Sequence, residues 1–77
     1  MRPMGWLISV QAIGASHRRL YATVADTHER AKVQVGDYCA ATINDTVRFE
    51  RVLTDGEVKR LGLQPSEVKL YATSAIV

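Results

Sequence analysis

The segment from residue 53 to residue 65 specifies a short helix at both of its ends. Thr54 and Glu57 have the spacing of a capping box, in which each side chain bonds the backbone N–H of the other residue. Gly62 can adopt the left-handed conformation that closes a helix, and Pro65 prevents the helix from continuing. The sequence therefore predicts a helix here with more detail than anywhere else in the chain. This pattern concerns folding, and it indicates no reaction.

Alternation of apolar and polar residues predicts four strands, at positions 6–13, 19–25, 46–53 and 67–73. A turn at Gly14-Ala15-Ser16 joins the first two strands, so that they form an antiparallel hairpin with His17 and Arg18 at its tip.

Residues 27–42 fit two different structures. An acid three residues after Asp26 is a helix start signal, and apolar residues then recur at helical spacing. Gly36 is unfavourable inside a helix, and Val33 lies off the apolar face. The alternative is a pair of strands that turn at Gly36-Asp37, which would make the protein a small β-barrel. The start signal and the length favour the helix.

The predicted fold is an α+β two-layer sandwich. Its sheet is mostly antiparallel, its elements follow the order β-β-α-β-α-β, and both helices cover one face. The chain has 77 residues, of which 47% are hydrophobic, which suits one compact domain spanning 1–77.

Composition excludes several classes of protein. The net charge of +2 is too small to indicate a polyanionic partner by itself. Cys39 is the single cysteine, which excludes a disulfide framework within the chain and favours a cytoplasmic location. The apolar run after Arg2 is interrupted by Ser9 and Gln11 and is a poor signal peptide. No stretch is long and apolar enough for a membrane span.

No catalytic or metal-binding motif is complete. His28-Glu29 begins like a zinc-protease motif, but Lys32 stands where the second histidine would be needed. Cys39 is expected late in a helix on its inward side, where the helix dipole disfavours a thiolate. The five glycines are scattered and form no phosphate-binding loop. We therefore expect a protein that is not an enzyme and has no cofactor and no metal.

Two segments fifty residues apart resemble each other, namely 16–23 and 66–73. Similar strands in similar positions explain this resemblance most simply. A functional interpretation places Tyr21 and Tyr71 side by side on the open face of the sheet, among basic residues. The candidate binding surface then consists of Arg18, Arg19, Tyr21, Arg48, Arg51 and Tyr71.

Three features of the sequence resemble those of small uncharacterised bacterial proteins of about this length. They are the capped helix, the motif Leu61-Gly62-Leu63-x-Pro65 at its end, and an early strand with the motif Trp6-Leu7-x-Ser9-Val10. The resemblance covers most of the chain. It implies a structure and carries no known activity or site.

These observations favour a small accessory module that binds through a sheet surface or an edge strand. Its partner would be another protein or a second copy of the chain, with no role for a membrane. The alternative is a weak nucleic-acid-binding domain that uses the basic first hairpin, with tyrosines as stacking platforms.

Overall fold

Four antiparallel strands form one open sheet in the order β3-β1-β2-β4, as seen in a computed structural model that describes residues 4–75. The elements are β1 (Met4–Gln11), β2 (His17–Ala25), α1 (His28–Cys39), β3 (Thr46–Val52), α2 (Asp55–Leu61) and β4 (Val68–Ala75). The predicted α+β class and the order of elements are confirmed. Residues 28–39 are helical, and the sheet is open, so the β-barrel alternative is excluded.

Two irregularities interrupt the pairing of the sheet. Between β1 and β3, Leu7 pairs with Arg51 and Ile8 pairs with Phe49, which leaves Glu50 as an extra residue on β3. Between β2 and β4, the pairing shifts after Leu20 and leaves an extra residue on β4 in the same way. Each bulge changes which side chains of the edge strand share a face with the central strands.

Helix α1 packs on one face of the sheet, which we call the α1 side. Its start is capped by Thr27, whose Oγ1 accepts a hydrogen bond from the Arg30 N–H at 3.1 Å. Its end is closed by Ala40, which is left-handed with φ 53°. The core on this side consists of Trp6, Ile8, Val10, Tyr21, Ala25, Ala31 and Val35.

Helix α2 packs on the opposite face, the α2 side. The structure differs here from the predicted arrangement, which placed both helices on one face. The reason is that β1 and β2 carry apolar residues at consecutive positions and bury both of their faces, as central strands can. The core on the α2 side consists of Leu7, Ala22, Val24, Leu53 and Leu63, with Leu20, Val58, Leu61 and Tyr71 packed against it.

The capping of α2 follows the sequence prediction. Thr54 Oγ1 accepts from the Glu57 N–H at 3.1 Å, and Glu57 Oε1 accepts from the Thr54 N–H at 3.0 Å. Gly62 closes the helix with φ 65°. Both ends of this seven-residue helix are therefore fixed by local bonds, although none of its residues is fully buried.

Gly5 allows α2 to approach β1. A Cβ atom at Gly5 would lie 2.9 Å from Leu53 Cβ and closer still to Val58 Cγ2. Carbon atoms do not approach so closely, so no larger residue fits here without movement of the helix. The glycine therefore sets the distance between the sheet and α2.

Candidate functional site

The six residues predicted to form a binding surface lie on two faces of the sheet. Residues paired across antiparallel strands share a face, and neighbours along a strand alternate. Arg48 pairs with Ser9 and Arg51 pairs with Leu7, which places both arginines on the α2 side. Arg18 and Tyr71 also lie on the α2 side, whereas Arg19 and Tyr21 lie on the α1 side.

Tyr21 and Tyr71 do not lie side by side, so this part of the prediction is wrong. Tyr21 pairs with Leu70, and the bulge on β4 turns Tyr71 to the other face. Tyr21 is only 5% exposed, and its ring packs edge-on against Tyr38 with 5.8 Å between ring centroids. Burial raises the pKa of Tyr21, and the neighbouring Cys39 thiol raises it further. Tyr21 is thus a core residue and no open stacking platform.

Arg51, Glu57 and Tyr71 form a network that joins β3, α2 and β4. Arg51 donates two parallel hydrogen bonds of 2.9 Å to the Glu57 carboxylate, and the Tyr71 hydroxyl donates a third at 3.1 Å. The bonds from Arg51, followed by the bond from the Thr54 N–H, hold the pKa of Glu57 far below its usual range. The same pairing raises the pKa of Arg51. These side chains stabilise the fold, and the Arg51 guanidinium is already occupied.

The other two arginines of the α2 side differ in their partners. Arg18 lies 3.6 Å from Glu50, and Glu50 also accepts a 2.7 Å hydrogen bond from the Ser9 hydroxyl. Arg48 is exposed and makes no ion pair within residues 4–75. The nucleic-acid alternative stays a prediction, and two of its four arginines are already paired with carboxylates.

An exposed apolar surface lies on the α1 side beside the edge strand β3. We call it the edge patch, and it consists of Met4, Trp6, His28, Phe49 and Val52. Met4, Phe49 and Val52 are 44%, 41% and 40% exposed, respectively. The three rings contact one another: the centroid of Trp6 lies 5.6 Å from that of Phe49 and 6.2 Å from that of His28. Such ring pairs stabilise each other and keep the surface in place.

Trp6 anchors the edge patch to the core. Its indole Nε1–H donates a buried 2.8 Å hydrogen bond to the Ala25 carbonyl. Sequence reasoning missed this surface. The available signal was that Phe49 and Val52 are large apolar residues on a strand that also carries four charged or polar residues, a composition typical of an edge.

A concave surface, separate from the edge patch, lies on the α1 side near the turn between β1 and β2. We call it the hairpin groove. It has a volume of about 510 Å³. Its lining residues are Val10, Ala12, Ala15, His17, Arg19 and Thr73. Of the six residues predicted for the binding surface, only Arg19 lines this groove.

The residues with catalytic potential do not converge. His28 and Cys39 stand at opposite ends of the twelve-residue helix α1, about 16 Å apart at a rise of 1.5 Å per residue. His17 lies at the start of β2, in the hairpin groove. Within residues 4–75, no group of three or more His, Cys, Asp or Glu side chains is placed to hold a metal ion. The described part of the chain therefore shows no catalytic constellation.

Comparison with protein-family models, characterised proteins and solved structures gives no match. The resemblance to small bacterial proteins and the cytoplasmic location stay predictions. Among the described residues, no helix has the length and apolar character needed to cross a membrane.

Proposed function

We propose that this chain is a non-catalytic binding module that takes up an extended segment of a partner protein along the outer edge of β3. One observation carries this proposal: the open edge of β3 runs beside the edge patch, where three large apolar side chains are each about two-fifths exposed.

The open edge of β3 can bind an added strand through its backbone. β3 pairs with β1 on one side and with no strand on the other within residues 4–75. Its outward backbone N–H and C=O groups can therefore bond an added strand, which supplies affinity without regard to sequence. Side chains of the added strand that point to the α1 side would cover Phe49 and Val52.

The two faces of β3 specify the chemistry of the partner. The α1 side is apolar at Phe49 and Val52, and the α2 side presents Arg48 without an acidic partner among the described residues. Because side chains alternate along a strand, the complementary segment has apolar residues on one face and an acidic residue on the other. The expected partner is thus an extended segment in which apolar and acidic residues alternate.

A second copy of this chain fits the same edge less well. Two antiparallel β3 strands centred on Phe49 would set Arg48 of each copy opposite Glu50 of the other. Glu50 is already held by Ser9 and Arg18 within its own sheet. Centring the pair on Arg48 would set two like charges opposite each other, which is destabilising. Charge complementarity therefore favours a different protein.

Site-specific photocrosslinking in the source cells tests the proposal. One variant carries the photoreactive analogue p-benzoylphenylalanine in place of Phe49, and the matched control carries it in place of Leu70. Leu70 is suitable because it is 55% exposed on the same face, on the other edge strand β4. We expect a discrete adduct from position 49 and none from position 70.

The captured protein then serves in a defined binding experiment. Hydrogen exchange of the purified complex should slow at the outward amides of β3 and leave β4 unchanged. Equal adducts from both positions, or no adduct from position 49, would overturn the proposal. An adduct of twice the chain's mass would show that a second copy occupies the edge and would overturn the choice of a different protein.

A further inference from the structure

The hairpin groove has a floor made by three adjacent strands. Arg19 on β2 pairs with Val10 on β1 and with Thr73 on β4, so the three side chains form one row across the sheet. Ala12 follows two positions after Val10 and completes the floor on the β1 side, and Ala15 lies in the turn that follows. Helix α1 reaches Tyr21 through Tyr38 in its last turn, and no residue of α1 is among those that line the groove.

The polar side chains that line the hairpin groove can all donate hydrogen bonds, and no acid lines it among residues 4–75. Arg19 makes no ion pair within residues 4–75. Its guanidinium carbon lies 5.9 Å from the centroid of the Tyr21 ring, a contact that favours one orientation of the cation. His17 Nδ1 lies 3.1 Å from the Ser16 hydroxyl, which leaves Nε2 for a ligand. The Thr73 hydroxyl is a further donor.

The apolar part of the lining is more extensive than the polar part. Ala12 and Ala15 present methyl groups to the groove, and Val10, which belongs to the core on the α1 side and is only 2% exposed, closes its bottom. A volume of about 510 Å³ is within the range of small-molecule sites. An apolar floor beside an unpaired guanidinium suits a ligand that has both an anionic end and an apolar end.

We propose that the hairpin groove binds a small organic carboxylate with an apolar tail. The carboxylate lies against Arg19, with His17 and Thr73 as additional donors, and the tail lies on Ala12 and Ala15, above the buried Val10. This site shares no residue with the edge patch and does not depend on the function proposed for β3.

Titrations followed by amide chemical shifts of the isotope-labelled chain test this site with three probes. Hexanoate has the charge and the tail, 1-hexanol has only the tail, and acetate has only the charge. We expect saturable shifts with hexanoate, confined to the groove and its neighbours. Each of the other two should bind about tenfold more weakly or worse, because each lacks one of the two interactions.

Two neighbouring arginines provide a matched pair of variants. Arg19→Gln should weaken hexanoate binding by about tenfold or more, which corresponds to the loss of one charge-assisted hydrogen bond. Arg18→Gln removes the same charge on the opposite face and should leave the affinity unchanged within about twofold. Ala12→Leu fills the groove without altering its charge and should also abolish binding.

The proposal is overturned by equal losses in the two arginine variants, by acetate binding as well as hexanoate, or by the absence of saturable shifts at millimolar hexanoate. A folded spectrum for each variant, recorded before the titration, ensures that a lost response reports binding.

Discussion

Replacing Gly5 with alanine should destabilise the protein, although alanine is normally the better residue in a strand. The added Cβ would lie 2.9 Å from Leu53 Cβ and closer still to Val58 Cγ2. The Cβ atom of Leu53 is fixed to the backbone, so a change of rotamer does not move it aside, and Leu53 is only 4% exposed. Either α2 shifts away from β1 or the core on the α2 side loses its packing.

The magnitude follows from two opposing terms. Forcing an extra carbon into a packed core costs about 1–3 kcal/mol, and replacing glycine inside a strand recovers about 0.5–1 kcal/mol of chain entropy. We expect a net loss of about 1–2 kcal/mol in the free energy of unfolding. For a domain of this size, each kcal/mol lowers Tm by about 4–8 °C.

Gly36→Ala is the matched control. It makes the same chemical change in α1, where a Cβ atom would meet nothing within 4 Å. Removing a glycine from the interior of a helix should therefore stabilise the protein by about 0.5–1 kcal/mol. Urea unfolding followed by circular dichroism measures both variants. Equal stability of Gly5→Ala and the original chain would refute the close packing of α2 on β1.

Thr54→Ala removes the cap of α2 and should cost about 1 kcal/mol, read from the urea midpoint. For Glu57, the lowered pKa means that the unfolded chain takes up the proton first. The contribution of Glu57 to stability is therefore complete above pH 4.5, the ordinary pKa of a glutamate side chain, and is lost as the pH falls below that value. Glu57→Gln lacks this carboxylate and should show a shallower decline in Tm over the same acid range. Trp6→Phe leaves the buried Ala25 carbonyl without its donor and should cost about 1–3 kcal/mol, measured by circular dichroism because Trp6 is the only tryptophan. An unaltered midpoint in Thr54→Ala or Trp6→Phe, or an equally steep acid decline in Glu57→Gln, would contradict the corresponding contact.

Local signals were sufficient to predict α2. Each capping bond of Thr54, Glu57 and Gly62 joins residues three or four positions apart, so local spacing alone specifies the bonds that the structure contains. Helix α1 was predicted for a similar reason, although its cap is Thr27 and the start signal had pointed to Asp26. Backbone preferences of this kind do not depend on distant parts of the chain.

The arrangement of the two faces could not be predicted in the same way. Tyr71 leaves the face of Tyr21 because of a single extra residue on β4, and a bulge has no sequence signature here. The position of α2 depends on Gly5, which was not recognised as a contact point. The run Trp6-Leu7-Ile8 did contain a usable signal, because consecutive apolar residues in a strand indicate burial on both faces.

The two candidate surfaces, the hairpin groove and the edge patch, also depend on how the strands pair. Arg19, which the sequence placed in a different candidate surface, lines the hairpin groove beside Val10 and Thr73, and these neighbours come from two other strands. To predict the edge patch, one would have to know that β3 lies at the edge of the sheet. That position follows from the strand order and from no single segment.

The central position of the β1–β2 hairpin affects the order in which the fold can be assembled. Both strands are contained within residues 4–25, and every later strand or helix packs onto them from outside. A ribosome that releases the chain from its amino end thus delivers the middle of the sheet first. Closing the short turn between these strands costs little entropy. Each following element then adds to a surface that already exists, and no segment has to be threaded into the interior afterwards.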